Sequence, residues 1–105
     1  EWPDDAVKTL KPDNRTALIT LTHDPKLDDP ALEAALTSDC FYIGSLGSKK
    51  THSSRVERLL SNGFTDKQIN RIHAPIGLDI GAKSPSEIAV SILAEVISAK
   101  YNKVF

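Results

Sequence analysis

Methionine is absent from the 105 residues, and cysteine occurs once, as Cys40. A lone cysteine excludes an internal disulfide, and no opening apolar run reads as a signal peptide or a membrane span, so the expected compartment is the cytoplasm. Charge of one sign is lacking too. Thirteen basic residues stand against fourteen acidic ones, for a formal net charge of -1. No whole-molecule field then favours nucleic acid or an anionic membrane, and any anion site must be local. Internal repeats and low-complexity tracts are missing. His23, Cys40, His52, His73 and Asp79 show none of the paired spacings of zinc sites, so no metal is expected. Without a GxSxG elbow or a nucleophile paired with a general base, no catalytic residue is assigned. The missing methionine, with bulky Glu1 first, points to a piece of a longer polypeptide that opens in a polar, proline-punctuated connection at residues 2–5.

What is present is the composition of a single soluble domain, 40% hydrophobic and 26% charged over residues 1–105. The apolar, β-branched run at 16–22 predicts a buried strand ended by His23, Asp24 and Pro25. Asp28 or Asp29 then caps a helix with Pro30 in its first turn, carried by Ala31, Leu32, Ala35 and Leu36 to about Ser38. Residues 40–43 predict a second strand closed by Gly44 and Gly47, after which Ser48 caps a helix bearing Val56, Leu59 and Leu60. Asn62 and Gly63 stop that helix, with Phe64 folding back on Leu59. Thr65 and Gln68 form a capping box for a short helix to about Arg71, and residues 72–76 give a short third strand that Pro75 interrupts. Ser84, Pro85 and Glu87 together mark the start of a last helix, to about Lys100. Its wide apolar face, with Ile88, Ile92, Val96, Ala89, Leu93, Ile97 and Val90, leaves Glu87, Ser91, Glu95 and Ser98 as a thin polar strip. A helix of that kind is covered on more than one side, by its own sheet and neighbours, by an upstream part of the fold or by a second protomer. Alternating strands and helices predict an α/β fold, a partial Rossmann-like domain with a mostly parallel sheet and helices on its faces, where ligands bind beyond the carboxyl ends of the strands.

Three segments carry candidate chemistry. Residues 43–52, IGSLGSKKTH, lie where a strand delivers the chain to a helix N-terminus. Gly44 and Gly47 let the backbone turn and approach a ligand, and the first amides of the helix favour negative charge. Ser45, Ser48, Lys49 and Lys50 complete an anion cradle, with Arg55 one or two turns further on. The spacing is neither that of a P-loop nor GxGxxG, so a plain turn with solvated lysines is equally compatible. His23 and Asp24 sit at another strand end and can serve a ligand or simply form a turn. Asp79, bracketed by Gly77 and Gly81, can contact a ligand hydroxyl or amine or bond its own loop amides.

Taken together, LTHDPKLDDPALEAAL at 21–36, FYIGSLGSKKTH at 41–52 and IHAPIGLDIGAKSPSEIAVSILAEVI at 72–97 closely resemble the C-terminal domain of the XdhC/CoxI family, accessory proteins of xanthine dehydrogenase and related molybdenum hydroxylases. The resemblance implies a Rossmann-like domain that binds molybdenum cofactor and supports its sulfuration and insertion into the apo-enzyme, an accessory role and not an enzymatic one. It implies a cysteine desulfurase and a xanthine dehydrogenase-type molybdoenzyme as partners. Gly44, Ser45, Gly47, Ser48, Lys49 and Lys50 would then hold the cofactor's anion, with His23, Asp24 and Asp79 at its polar edges. Lysine at 49 and 50, where such proteins often carry arginine, keeps charge but gives up bidentate geometry. Such proteins open the Rossmann domain with a strand, a GxGH turn and a second strand ending in an acidic residue, and none of these occurs here. Two other functions fit the pattern: an NAD(P)- or flavin-binding half of an oxidoreductase, and a structural module that forms a homodimer through the last helix.

Overall fold

The computed structural model describes residues 13–22 and 24–101. The opening segment 1–12 and His23, one of the candidate ligand residues, lie outside them. Seven elements follow in order: β1 (Ala17–Thr20), α1 (Pro25–Leu36), β2 (Tyr42–Ser45), α2 (Lys49–Ser61), α3 (Asp66–Ile69), β3 (Ile72–His73) and α4 (Pro85–Lys100). The strands make one parallel sheet in the order β1-β2-β3, with Ala17 beside Tyr42 and Ile43 beside Ile72. Parallel neighbours need a crossover between them, and the intervening helices supply it. The observed class is the expected one, an α/β domain with part of a Rossmann-like sheet.

Local signals explain most element boundaries. Ser48 accepts the Thr51 amide, and reciprocal capping boxes open α3 at Thr65 and Gln68 and α4 at Ser84 and Glu87. After α2 the chain turns at Gly63, φ +92°, so that the Phe64 amide reaches the Leu59 carbonyl at 3.1 Å and the Phe64 side chain packs on the core.

Two starts differ from expectation. Helix α1 begins at Pro25, capped by Asp24, whose carboxylate accepts the Lys26 amide at 3.0 Å. Proline at the first helical position costs no hydrogen bond and presets φ, so the earlier start prevails over Asp28 or Asp29. Asp28 is instead buried and accepts the Thr22 hydroxyl at 2.6 Å. Strand β2 spans Tyr42–Ser45, not 40–43, so Gly44 is a strand residue. Strands β1 and β3 are shorter than predicted, and β3 ends two residues before Pro75, which has no N–H for a ladder.

The core lies on one face of the sheet. Leu32, Ala35 and Leu36 of α1 meet Ile43 of β2, Leu59 of α2, Ile69 of α3 and Ile72 of β3, with Cys40 as a small buried hydrophobe among them. Arg71 fastens the link from α1 to β2: its guanidinium donates to the carbonyls of Leu36, Ser38 and Cys40 at 3.0, 3.2 and 2.9 Å.

Helix α4 covers the opposite face in an orientation that its composition does not suggest. The middle of its polar strip turns inward: Ser91 is 4% exposed, and the Glu95 carboxylate accepts the Tyr42 hydroxyl at 2.6 Å and the Gly77 amide at 3.1 Å, while Glu87 stays exposed in the cap. His73 stacks on the Tyr42 ring at 4.6 Å and brings Nδ1 within 3.5 Å of the same carboxylate oxygen. Burial and then the Glu95 carboxylate push the Tyr42 pKa above the ordinary phenol range. Val90, Leu93 and Ile97 face outward at 59%, 59% and 56% exposure, and Tyr101 continues the stripe. Ile88, Ile92 and Val96 are half-buried, whereas the stripe of Val90, Leu93 and Ile97 is left uncovered among the described residues.

Candidate functional site

The loop from β2 to α2 is held from below. Gly44 lies buried in β2, and the space that a Cβ would take is filled by Ile76 Cδ1 at 2.6 Å and Tyr42 Cε2 at 2.8 Å. The missing side chain at 44 thus serves packing and not the turn, which differs from the expectation. Ser45 is fully buried, and its hydroxyl accepts that of Thr20 at 2.7 Å, a bond across the β1–β2 pair. The turn itself is made at Gly47, φ +142°, directly before the α2 cap. Lys49 and Lys50, both exposed, occupy the first two helical positions, whose amides have no partner within a helix.

Beside this loop a cavity of about 430 Å³ opens between the β2–α2 connection and the segment joining β3 to α4. Leu46 and Lys49 line it from the first, residues 75–82 from the second, and Ile88 and Ser91 from α4. Gly77 and Gly81, φ +97° and +81°, set the course of the second segment. Gly77 presses its Cα onto α4 so closely that an added Cβ would stand 2.5 Å from Ser91 Oγ, and the Leu78 amide donates to the Ser91 carbonyl at 3.1 Å. Between these anchors Asp79 is the centre of a three-residue turn closed by Ile80 N–H to Leu78 O at 3.0 Å. Its carboxylate takes no hydrogen bond from the described residues and borders the cavity.

Of the residues expected at a site, the structure brings Lys49 and Asp79 to one cavity and places Gly47, Ser48 and Lys50 around its loop. Gly44 and Ser45 are buried beneath, and Asp24 is engaged in capping α1, the structural one of its two expected roles. Among the described residues no three of His, Cys, Asp and Glu come together as a metal-binding group, and no helix is long and apolar enough to cross a membrane.

Arg55, which its neighbours along the chain mark only as lying one or two turns beyond the loop, is the unusual residue of the region. It is 2% exposed, and Nη1 donates to His52 Nδ1 at 3.2 Å. Arginine has only donors, so Nδ1 accepts and the His52 proton resides on Nε2. Burial first, and the Arg55 charge second, hold the His52 pKa below the usual imidazole range. A signal existed: Thr51, Arg55 and Leu59 follow one another at i, i+4 spacing, which puts an arginine on the inward stripe of α2.

A family model described as the XdhC Rossmann domain matches residues 2–96. The molybdenum cofactor insertion chaperone PaoD of Escherichia coli is 37% identical over 91 residues, 87% of this chain and 29% of that protein. A protein of Bacillus subtilis named as a probable subunit of xanthine dehydrogenase is 36% identical over 84 residues, 80% of this chain and 23% of that protein. A crystal structure described as that of a xanthine dehydrogenase from Bacillus halodurans superposes with a TM-score of 0.75 at 31% identity, covering 99% of this chain and 29% of that one. The chain thus spans less than a third of the length of each.

Proposed function

This chain belongs to the XdhC Rossmann-domain family, and on that premise we propose that it is a binding module for molybdenum cofactor, an accessory protein and not an enzyme, in the maturation of xanthine dehydrogenase-type molybdoenzymes. The observation that carries the reading is the cavity of about 430 Å³ with Lys49 and Asp79 in its lining. Its volume lies within the roughly 300–1,000 Å³ of small-molecule sites, and its two charged residues suit a ligand with an anionic end and a hydrogen-bonding heterocycle. Lys49, Lys50 and the amides that follow Gly47 and Ser48 attract the phosphate of the cofactor. Asp79 accepts from the N–H groups of the pterin edge. Gly44 and Ser45 support the loop, Asp24 holds the start of α1 at the neighbouring strand end, and His23 beside it meets the polar edge of the ligand. The bound group would supply the redox chemistry of the enzyme that receives it; the residues of this chain bind, orient and shield it. The name of the Escherichia coli relative, a cofactor insertion chaperone, supports delivery, and that of the Bacillus subtilis relative supports a xanthine dehydrogenase as recipient. Sulfuration before insertion, a cysteine desulfurase as the sulfur-donating partner and a cytoplasmic location complete the proposal.

Titration of the protein with molybdopterin and, separately, with NAD(P)H tests it. Saturable molybdopterin binding weakened by Asp79→Asn and by Lys49→Glu is the expected result. Dinucleotide binding without molybdopterin binding refutes the proposal and favours the oxidoreductase reading.

One observation favours an additional structural role. Val90, Leu93, Ile97 and Tyr101 form an outward apolar stripe on α4, as expected of a helix that associates with a second copy. Sedimentation velocity across concentration, with Leu93→Glu for comparison, checks it: a homodimer lost in the variant supports self-association, and a monomer at every concentration removes it.

A further inference from the structure

A guanidinium as deeply buried as that of Arg55 normally has carboxylates or carbonyls on its five N–H groups. Arg55 has little of this. Apart from the bond to His52, its Nε is buried without a hydrogen-bond partner among the described residues. Asp29 and Asp28 act on it through space, but Asp29 is held by Arg58 at 2.6 and 3.2 Å, and Asp28 accepts the Thr22 hydroxyl. The direction of the side chain matters most. Nη2 lies 4.0 Å from the position that a Cβ would take on Gly47, so the charge reaches the turn that opens α2. There Ser48 Oγ takes the Thr51 amide at 3.1 Å, while the amides of Lys49 and Lys50 have no acceptor within a helix.

We propose that Arg55 is the buried counter-charge of a phosphate site at the start of α2, where a phosphomonoester or diphosphate seats its oxygens on the first-turn amides and on the Arg55 guanidinium. This deepens the cofactor reading and rests on it for the identity of the natural ligand: it assigns the phosphate end to Gly47 and Arg55, and the remainder to the cavity with Asp79. The exposed lysines attract the anion from solvent, but hydration and salt weaken their pull. Arg55 acts from low dielectric, has donors free of protein partners and stands ready before the ligand arrives, so it contributes most of the affinity.

Pyrophosphate is the probe, measured by calorimetry on the wild-type protein, Arg55→Met, Arg55→Lys and Lys49→Ala with Lys50→Ala. The expected results are saturable binding to the wild type, at least a tenfold loss in Arg55→Met with its thermal midpoint unchanged or raised, a partial loss in Arg55→Lys, and only a two- to threefold loss in the double lysine variant. A wild type that does not bind pyrophosphate at several millimolar overturns the site, as does an Arg55→Met protein that binds as the wild type does. Should Arg55→Met fail to fold, the ring resonances of His52 in the wild type decide: they must shift with pyrophosphate, and saturable binding that leaves them unmoved overturns the assignment. A parallel titration with molybdopterin separates the two readings. Pyrophosphate binding through Arg55 with no molybdopterin binding refutes the cofactor proposal alone, whereas equal molybdopterin affinity in the wild type and Arg55→Met refutes the role of Arg55 alone.

Discussion

Replacing Gly77 with alanine tests how the cavity is built. Gly77 has φ +97°, and its ideal Cβ would lie 2.5 Å from Ser91 Oγ and 3.3 Å from both Ile92 N and Ser91 C. Two costs follow. A side chain in the left-handed region loses about 1–2 kcal/mol, and forcing a methyl into a closed contact costs about 1–3 kcal/mol. Ser91 Oγ can rotate only by giving up its bond to the Ile88 carbonyl at 2.7 Å, and the two backbone atoms cannot rotate away at all. The expected destabilisation of Gly77→Ala is therefore ~2–5 kcal/mol. Adding Ser91→Ala removes the nearest atom but leaves the φ strain and the backbone contacts, so the double variant should recover about 1 kcal/mol relative to additivity. Urea unfolding followed by far-ultraviolet circular dichroism gives both numbers, provided that the slope stays constant while the midpoint moves. A Gly77→Ala protein within about 0.5 kcal/mol of the wild type, which is the range of an inert surface change, would falsify this account of the junction, and strict additivity would remove Ser91 from it.

Glu95→Ala should cost about 2–3 kcal/mol, because the buried Tyr42 hydroxyl and the Gly77 amide both lose their acceptor; Glu95→Gln, which keeps an acceptor, should cost clearly less in the same assay. The raised Tyr42 pKa also predicts that stability is full below the unfolded tyrosine pKa and falls as the pH rises above about 10, a fall absent in Tyr42→Phe. Arg71→Met should lose about 2 kcal/mol through three abandoned carbonyls, and hydrogen exchange should rise first between α1 and β2. For His52 the sign is opposite to that of Tyr42. Its folded pKa is depressed, so its contribution is present above about pH 6.5 and is lost as the pH falls through the folded value. In Arg55→Met the His52 pKa, read by NMR titration, should rise because the neighbouring cation is gone.

Much of the chain was legible because its signals are local. Caps act within four residues, so Ser48, Thr65 with Gln68, Ser84 with Glu87, and Gly63 marked helix ends that the structure shows. The start of α1 was misplaced because three acidic residues and two prolines offer competing caps within seven positions, and what separates them is the Thr22–Asp28 bond, which joins the end of β1 to the interior of the helix. At the candidate site, Gly47, Ser48 and Asp79 stood out by their turn and cap chemistry. Gly44 stood out for the wrong reason: the Ile76 side chain that needs its empty space comes from 32 residues further on, a contact that local spacing cannot register.

The residues alone therefore determined the alternation of strands and helices, the parallel α/β class, the family blocks and the loop most able to meet an anion, since each depends on periodicity or on chemistry between near neighbours. Only the tertiary structure decided which way the helices face. By its own pattern α4 should bury its aliphatic residues and show its polar strip to water. The Tyr42 hydroxyl, the Gly77 amide and the close approach of Gly77 to Ser91 turn Ser91 and Glu95 inward instead, leaving Val90, Leu93 and Ile97 outside. Helical spacing put Arg55 on the inward stripe of its helix and within reach of Gly47, eight residues back, but only the packing of α1 against α2 set Asp28 and Asp29 near it while leaving its Nε without a partner among the described residues.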